Sequence, residues 1–568
     1  MSGAAAATAS VHPRDFKEPA GWGGYALIAL PLFFIALCFA NWYGLIALSG
    51  GARALLLFGL LIAMMGTGMP ISIALGFSVL IFVFTMTTVV LDTVALKLFT
   101  GMEKWEIMAI PFFILAGNFL THGGIAKRMI DFATSLIGHW YGGLALAGII
   151  ACAMFALVCG SSVATVVAIG SILLPEMVKA GYPMRFGAAV ITVAGSLGIL
   201  MLPSIPKVIY AISTGTSVGA LFIAGVLPGT MLTIMLCATT WYLARKHNYP
   251  RTPTIGGRSS FRATLSAGKG LLYCWPALLL APVFLIVDDI VVRIAGDAAS
   301  PLKLIGFSTI AAFGTAVLVL TTLWFVVSYL LSSAGFNLGL RNEGLNVWKA
   351  YWKSIWGLML VVIIIGGIYS GAFTATEAAA MSAVYAFFIA VYVYRATKMR
   401  EVPTVLIRSA NMSAMLLYII GNAVLFSYVL TNENIPNTLS EWMISLNLGP
   451  WGFLLMVNLL LLVAGNFMEP SSIILIMSPI LFPTAMKLGI DPVHFGIMID
   501  VNMEVGLCHP PVGLNLYVAS GISKIGITEL TKAVLPWLCT MLVFLVIVTY
   551  WPWLTLVLPH ALGMKTVL

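Results

Sequence analysis

Two clusters of small polar residues, Gly160-Ser161-Ser162 and Glu469-Pro470-Ser471-Ser472, interrupt long apolar stretches of this chain. In hydrocarbon an unpaired backbone group is costly, so a break in a helix survives only inside protein or beside water. The apolar run 142–158 ends at Gly160 and a second run begins at Val163. Such a pair predicts a helical hairpin that dips into the membrane and returns. Its tip offers carbonyl oxygens, the hydroxyls of Ser161, Ser162 and Thr165, and free N–H groups where the second arm starts. Carbonyls and hydroxyls suit a hard cation, whereas half-helix N-termini suit a carboxylate. The opposite wall is a second break, Gly198 to Pro206, where Pro203 and Pro206 lack donors and Ser204 adds a hydroxyl. The other cluster has Asn466, Glu469, Pro470, Ser471 and Ser472 at its tip, and faces Gly506 to Gly513, which includes Pro511. Asn515 lies just beyond.

These passages are two copies of one pattern. Pro175 matches Pro483, Lys179 matches Lys487, Gly181 matches Gly489, Gly198 matches Gly506 and Pro203 matches Pro511, all 308 positions apart. A one-residue slip sets Phe186 opposite Phe495 and Gly187 opposite Gly496. Small residues in membrane helices often serve only close packing. Two matched tips, each followed by a matched Gly-to-Pro break, favour a binding role. We expect two pseudo-symmetric cation sites. Ser161, Ser162, Thr165, Gly198 and Pro203 would form one, and Ser471, Ser472, Gly506 and Pro511 the other. A carboxylate substrate between the tips would meet Ser162, Ser204, Ser471 and Asn515, with Lys207 as a further candidate.

Lys207 has two readings: pairing with a substrate carboxylate, or snorkelling toward an interface. Glu504 is read as an internal structural partner before a cation ligand, because acids in membrane bundles often pair internally. Asp500 and His509 lie beside it; His509 reads as a hydrogen-bonded packing residue before a proton relay. Glu377 follows Thr374 and Thr376 and reads as a helix-start acid.

The elements that carry these residues are membrane spans. The chain has 568 residues, 61% hydrophobic and 9% charged, against about 25% charged in soluble domains. Its mean hydropathy is +1.04. Runs such as 22–48, 218–244, 303–332, 354–375 and 535–559 can each cross roughly 30 Å of hydrocarbon and meet membrane lipid. The fold expected is an all-α polytopic membrane protein. The excess of Lys and Arg, 29 against 20 acids, fits cytoplasmic loops better than nucleic acid. The seven cysteines are scattered in or beside apolar segments, without CxxC, and suggest packing. No HExxH, GxSxG or metal-spaced cluster of His and acids supports an intramembrane enzyme.

Loop charge orients the chain. The stretch 245–269 carries six basic residues and no acid, which marks the cytoplasm. Asp288, Asp289 and Asp297 then mark the outside, Arg341, Lys349 and Lys353 the inside again, and Glu433 and Glu441 the outside. The second copy is therefore entered from outside and the first from inside, so the copies are inverted. The loop 92–106 fits poorly, because it should be outside yet holds Lys97 and Lys104. The organisation expected is an N-terminus with an extra span (1–52), a first scaffold part (53–138) and a first transport part (139–245). A basic loop with an inserted two-helix block (246–350), a second scaffold part (351–449) and a second transport part (450–568) follow. The N-terminus would be cytoplasmic and the C-terminus periplasmic.

The chain resembles the large permease subunit of tripartite ATP-independent periplasmic (TRAP) transporters, dicarboxylate type. The likeness rests on GMPISIALG (68–76), PFFILAGNFL (111–120), FALVCGSSVATVVAIGSILLPEM (155–177), the passage 194–229, IIIGGIYSGAFTATEAAA (363–380) and the passage 489–523. It covers about 400 residues in the family's order. The resemblance implies an inverted-repeat, elevator-type secondary transporter in the bacterial inner membrane. Sodium ions at the hairpins and breaks would drive import of an organic acid. A periplasmic substrate-binding protein would deliver it, and a small four-helix membrane subunit, expected on a separate chain, would brace the scaffold. Three departures stand out. His509-Pro510-Pro511 replaces the usual Thr-Pro-Pro, Lys207 stands where the family usually has an apolar residue, and the N-terminal span and 246–350 are additions. The alternative is a stand-alone cation-coupled carboxylate transporter needing no binding protein.

Overall fold

The computed structural model describes residues 22–249 and 343–564, apart from 47, 49, 88, 90, 139, 370–372, 446–448, 467, 511 and 512. The polar N-terminus and nearly all of the 246–350 block, with its two expected spans, lie outside the described residues. Every regular element among those described is helical. The first half comprises α1 (Trp22–Trp42), α2 (Gly50–Gly66), α3 (Ile71–Met86), α4 (Leu91–Met102), α5 (Ala109–His122), α6 (Ile125–Ile137), α7 (Gly143–Cys159), α8 (Ser162–Lys179), α9 (Met184–Leu200), α10 (Ile205–Thr214), α11 (Val218–Ala224) and α12 (Val226–Lys246). The second comprises α13 (Glu343–Tyr369), α14 (Ala375–Phe388), α15 (Val402–Asn432), α16 (Ile435–Ser445), α17 (Gly449–Gly465), α18 (Pro470–Lys487), α19 (Pro492–Cys508), α20 (Leu514–Ser523), α21 (Ile527–Tyr550) and α22 (Trp553–Ala561). By length and composition, seven helices or continuous helix pairs among the described residues can cross a membrane.

The doubled passage folds into the same run of helices twice. α7, α8, α9 and α10 have 17, 18, 17 and 10 residues, and α17, α18, α19 and α20 have the same lengths in the same order. Local chemistry starts these helices at matching places. Ser161 caps α8 by accepting from Ala164 N, and Asp491 caps α19 by accepting from Val493 N at 2.8 Å and His494 N at 3.1 Å. Proline sits in the first turn of α10, α18 and α19, where its missing N–H costs nothing. Glu377 closes a capping box with Thr374 at the start of α14, a structural role.

The described residues fall into two compact units, the described parts of Met1–Met102 with Tyr418–Leu439, and of Glu103–Leu417 with Ser440–Leu568. In the first, α1 to α4 pack with the end of α15. Asn422 Nδ2 donates to Ser72 O at 3.1 Å, and Arg53 pairs with Glu433 at 3.7 Å. The second unit holds both hairpins and both broken helices. α7 and α8 pack on α9, while α17 and α18 pack on α19. The halves after the breaks are exchanged: α10 packs on α18, and α20 packs on α8. α9 and α19 also touch, so the two copies interlock.

Two expectations were incomplete. The stretch holding Glu433 and Glu441, expected outside as loop, contains α16. The two lysines that fit the loop-charge pattern poorly have structural partners instead. Lys97 lies over the Tyr428 ring at 5.2 Å, and Lys104 Nζ donates to Ile212 O at 2.9 Å, near the C-terminus of α10.

Polar ties hold the second unit together, as expected where lipid supplies little hydrophobic drive between helices. Asn502 Nδ2 donates to Asn458 O and Oδ1 at 3.0 and 2.9 Å, and Asn458 Nδ2 donates to Thr549 Oγ1 at 2.9 Å. His494 contacts Thr555 Oγ1 at 2.9 Å, and Trp537 Nε1 donates to Thr240 Oγ1 at 2.8 Å. These bonds join α17, α19, α21, α22 and α12. A double-mutant cycle of Asn458→Ala and Asn502→Ala should show a coupling of about 0.5–1.5 kcal/mol in the stability of the purified protein. Strictly additive losses would show that this amide pair does not tie α17 to α19.

Candidate ion and substrate site

The first tip is held against its broken helix by backbone contact. α7 ends at Gly160, whose φ of +62° is a left-handed turn that glycine adopts without strain. A side chain there would also run into the carbonyl oxygen of Pro203. On α9, a methyl added at Gly198 would lie 2.7 Å from Ser161 C and O and from Ser162 N. The hairpin turn thus sits directly on Gly198 and on the break that follows. The second copy repeats the device with different residues. α17 ends at Gly465, and a methyl added there would lie 3.2 Å from Gly506 Cα. Both Gly198 and Gly506 act as seats for a hairpin tip.

The hydroxyls at the first tip have distinct partners. Ser161 serves as the cap of α8, and Thr165 Oγ1 donates back to Ser161 O at 2.8 Å. Ser162 Oγ lies 3.0 Å from both Gly195 O and Asn515 Oδ1, and accepts from Asn515 Nδ2 at 2.8 Å. One hydroxyl proton can serve only one of the two acceptors at a time. Asn515 Nδ2 also lies 3.3 Å from Thr192 O. Ser204, at the start of α10, is fully buried and its hydroxyl has no partner among the described residues.

At the second tip, Ser471 and Ser472 are buried in the first turn of α18, and the Ser472 hydroxyl has no partner among the described residues. Asn466 Nδ2 donates to Leu462 O at 3.1 Å, while its Oδ1 lies 2.9 Å from His509 Nδ1. His509 is therefore a hydrogen-bonded link between the second tip and the second break. Pro511 lies outside the described residues.

The structure gathers Ser161, Ser162, Thr165, Gly198, Pro203 and Ser204 around the first tip. It brings Asn515 to them from the other copy, although the sequence places Asn515 just past the second break. Sequence reading missed the parts played by Gly195, Thr192 and Gly465. Their small side chains or main-chain carbonyls carry no signal apart from the Gly465 position at the end of an apolar run. Lys207 is fully buried, and its Nζ donates to Leu200 O at 2.5 Å. Asp500 and Glu504, on α19, are buried as well. Neither carboxylate has a hydrogen-bond partner among the described residues.

Paired hairpins and broken helices whose tips gather unspent hydroxyls and carbonyls define a multi-pass membrane protein of the transporter class. The chain belongs to the family described as the tripartite ATP-independent periplasmic transporter, DctM component, whose model matches residues 58–295 and 290–554. It is 56% identical over 525 residues to the C4-dicarboxylate TRAP transporter large permease protein DctM of Rhodobacter capsulatus, covering 90% of this chain and 100% of that one. It is 43% identical to the protein of the same description from Pseudomonas aeruginosa, covering 83% and 90%. It is 33% identical to the isethionate TRAP transporter permease protein DctMQ of Oleidesulfovibrio alaskensis, covering 87% and 65%. Among solved structures, the YdaH transporter of Alcanivorax borkumensis matches with a TM-score of 0.48 and 15% identity, covering 82% and 90%.

The glycine seats give a direct test. Gly198→Ala should destabilise the protein by about 1–3 kcal/mol through overpacking against backbone, and should lower uptake by the reconstituted system. Gly366→Ala on α13, where an added methyl meets open space, serves as the control and should do neither. Full uptake by Gly198→Ala would mean that the tip need not rest on α9.

Proposed function

We propose that this chain is the large membrane subunit of a sodium-coupled transporter that imports a C4-dicarboxylate. A periplasmic substrate-binding protein hands over the substrate, and a small four-helix subunit on a separate chain braces the scaffold. The protein sits in the inner membrane with its N-terminus in the cytoplasm and its C-terminus in the periplasm. The observation that carries this reading is the matched pair of hairpin tips seated on broken helices, with Ser162 of one copy bonded to Asn515 of the other. The two most similar relatives named above, described as C4-dicarboxylate permeases, support the substrate class.

In this mechanism each tip takes a sodium ion. Ser161, Ser162, Thr165, Gly198 and Pro203 supply oxygens at the first, and Ser471, Ser472, Gly506 and Pro511 at the second. The oxygens are hydroxyls and carbonyls, ligands that suit a hard monovalent cation. The substrate lies between the tips, where Ser162, Ser204, Ser471 and Asn515 and the N-termini of α8 and α18 receive its carboxylates. Sodium organises the tips, so the substrate binds an already shaped site. The two hairpins and broken helices then move as one body against the scaffold, in an elevator motion. Lys207 stands outside this set, because its ammonium is already bonded to Leu200 O.

Uptake in proteoliposomes, with all subunits and with or without an inward sodium gradient, tests the coupling. Accumulation should require the gradient, and equal uptake without it would remove sodium from the mechanism. Ser162→Ala and Ser472→Ala should each raise the sodium concentration for half-activation by roughly tenfold, the loss of about one hydrogen-bond-strength ligand. Unchanged activation in both would remove these hydroxyls from the ion sites. Uptake by the permease without the binding protein would favour a stand-alone carrier.

A further inference from the structure

α12 and α21 run antiparallel and are tied together near one end. Trp537 Nε1 donates to Thr240 Oγ1 at 2.8 Å, and the hydroxyls of Thr239 and Thr540 lie 2.9 Å apart. Phe186 of α9 packs on Trp537 with ring centroids 5.6 Å apart, and on Tyr249, just past α12, at 4.6 Å. Both helices belong to stretches long and apolar enough to cross a membrane, Val218–Lys246 and Ile527–Tyr550. The end of α12 and the start of α21 therefore lie together at a membrane surface.

The tie fixes the register of the pair. Arg245 follows Thr240 by five positions, and Lys532 precedes Trp537 by five. Both are displaced toward the surface by about 7.5 Å, at a rise of about 1.5 Å per residue. Lys246 is the next residue on α12, and all three cations are exposed. The Arg245 guanidinium lies over the Trp241 ring at 5.3 Å, and such rings favour the headgroup layer. One turn below Lys246, Tyr242 is exposed, level with exposed Leu535. Deeper still, the same register sets Ile234 level with Val543, both exposed. Lys246 and Tyr242 share one face of α12, and Lys532, Cys539 and Val543 share one face of α21. At about 100° per residue, these faces turn to the same side of the pair. Toward the surface this strip changes from apolar to amphipathic to cationic.

The charge at its top is not spent on acids. Glu529, three residues before Lys532, pairs with Arg185 of α9 instead. Among the described residues neither Lys246 nor Lys532 takes part in a salt bridge. The sequence holds no acid from Arg245 to Lys269. Basic residues that only orient a span can stand anywhere in its loop. Here two lysines are set at one level across a tied helix pair, directly above apolar surface. That arrangement matches an anion carried on an apolar body.

We propose that this helix pair holds an anionic phospholipid, with its headgroup phosphate between Lys246 and Lys532 and an acyl chain along Tyr242, Cys539 and Val543. Arg245 on Trp241 marks the headgroup level. On the orientation proposed above, the lipid belongs to the cytoplasmic leaflet. The seat is built from residues outside the ion and substrate set and does not depend on sodium. It lies on the unit that carries both hairpins, so the charge of the surrounding lipid acts on the body that holds the transport site.

The test melts the full-length protein, purified in detergent, with dioleoyl phosphatidylglycerol, with dioleoyl phosphatidylcholine or with inorganic phosphate. Cys539, exposed on the same strip, gives a local readout through its rate of maleimide labelling, followed on its own peptide. The wild type should melt several degrees higher with phosphatidylglycerol than with phosphatidylcholine, and phosphatidylglycerol should slow labelling of Cys539 severalfold. Lys246→Gln and Lys532→Gln should each raise the phosphatidylglycerol concentration for half the melting shift by about fivefold. Lys487→Gln, which removes an exposed lysine at the end of α18, should leave that concentration unchanged. Equal labelling of Cys539 in the two lipids would overturn the proposal, and this comparison needs no variant. An unchanged phosphatidylglycerol response in the Lys246→Gln/Lys532→Gln double variant would overturn it as well. A melting shift matched by inorganic phosphate would give the lysines to a free anion and remove the lipid.

Discussion

A helix interrupted inside an apolar layer frees peptide groups that neither the helix nor the lipid can satisfy. The architecture of the second unit follows from that constraint. Each hairpin turn is pressed onto a glycine of a broken helix, Gly198 in one copy and Gly506 in the other. Irregular backbone then lies against irregular backbone and is shielded from lipid. Glycine is needed because the contact is made by main-chain atoms; any Cβ would hold the turn away and expose what it covers. The half-helices beyond the breaks then pack on the opposite copy, α10 on α18 and α20 on α8. The two repeats are therefore packed as an interlocked pair.

The lengths of the paired helices are identical, yet the polar chemistry at their ends is not. The first turn spends Ser161 on capping α8 and links Ser162 to Asn515 across the copies. The second links Asn466 to His509 within its own copy. An inverted pair of this kind preserves the places where helices stop while allowing the groups at those places to diverge. Backbone breaks are set by glycine and proline geometry, which tolerates few substitutes. The side chains at the tips need only satisfy local hydrogen bonding and charge, which many residues can do.

That distinction also explains what was legible in the sequence. The hairpins and breaks could be read from Gly160, Gly198, Pro203, Pro470 and Gly506, because these residue types act on their own local backbone. The capping role of Glu377 was legible for the same reason. The meeting of Asn515 with Ser162, 353 residues apart, was not, because it depends on how two repeats exchange their half-helices. Lys207 was ambiguous between substrate and interface, since a sequence shows neither the direction of a long side chain nor that Leu200 O lies within its reach. Lys97 and Lys104 misled the charge pattern slightly, because positive-inside reasoning treats lysines as free surface charges. Both are engaged, one over a ring and one on a helix end.

α19 is the element on which these features converge. One set of its side chains, His494 and Asn502, is tied by hydrogen bonds to α17, α21 and α22. Another set carries Gly496, packed under Tyr210 of α10, and the buried acids Asp500 and Glu504. Separating α19 from the first group would strand amides and an imidazole. Separating it from the second would open the contact of Gly496 with Tyr210 and break the Tyr210–Pro492 hydrogen bond. Any large rearrangement of this unit must therefore leave α19, α10, α17 and α21 together and find its freedom elsewhere.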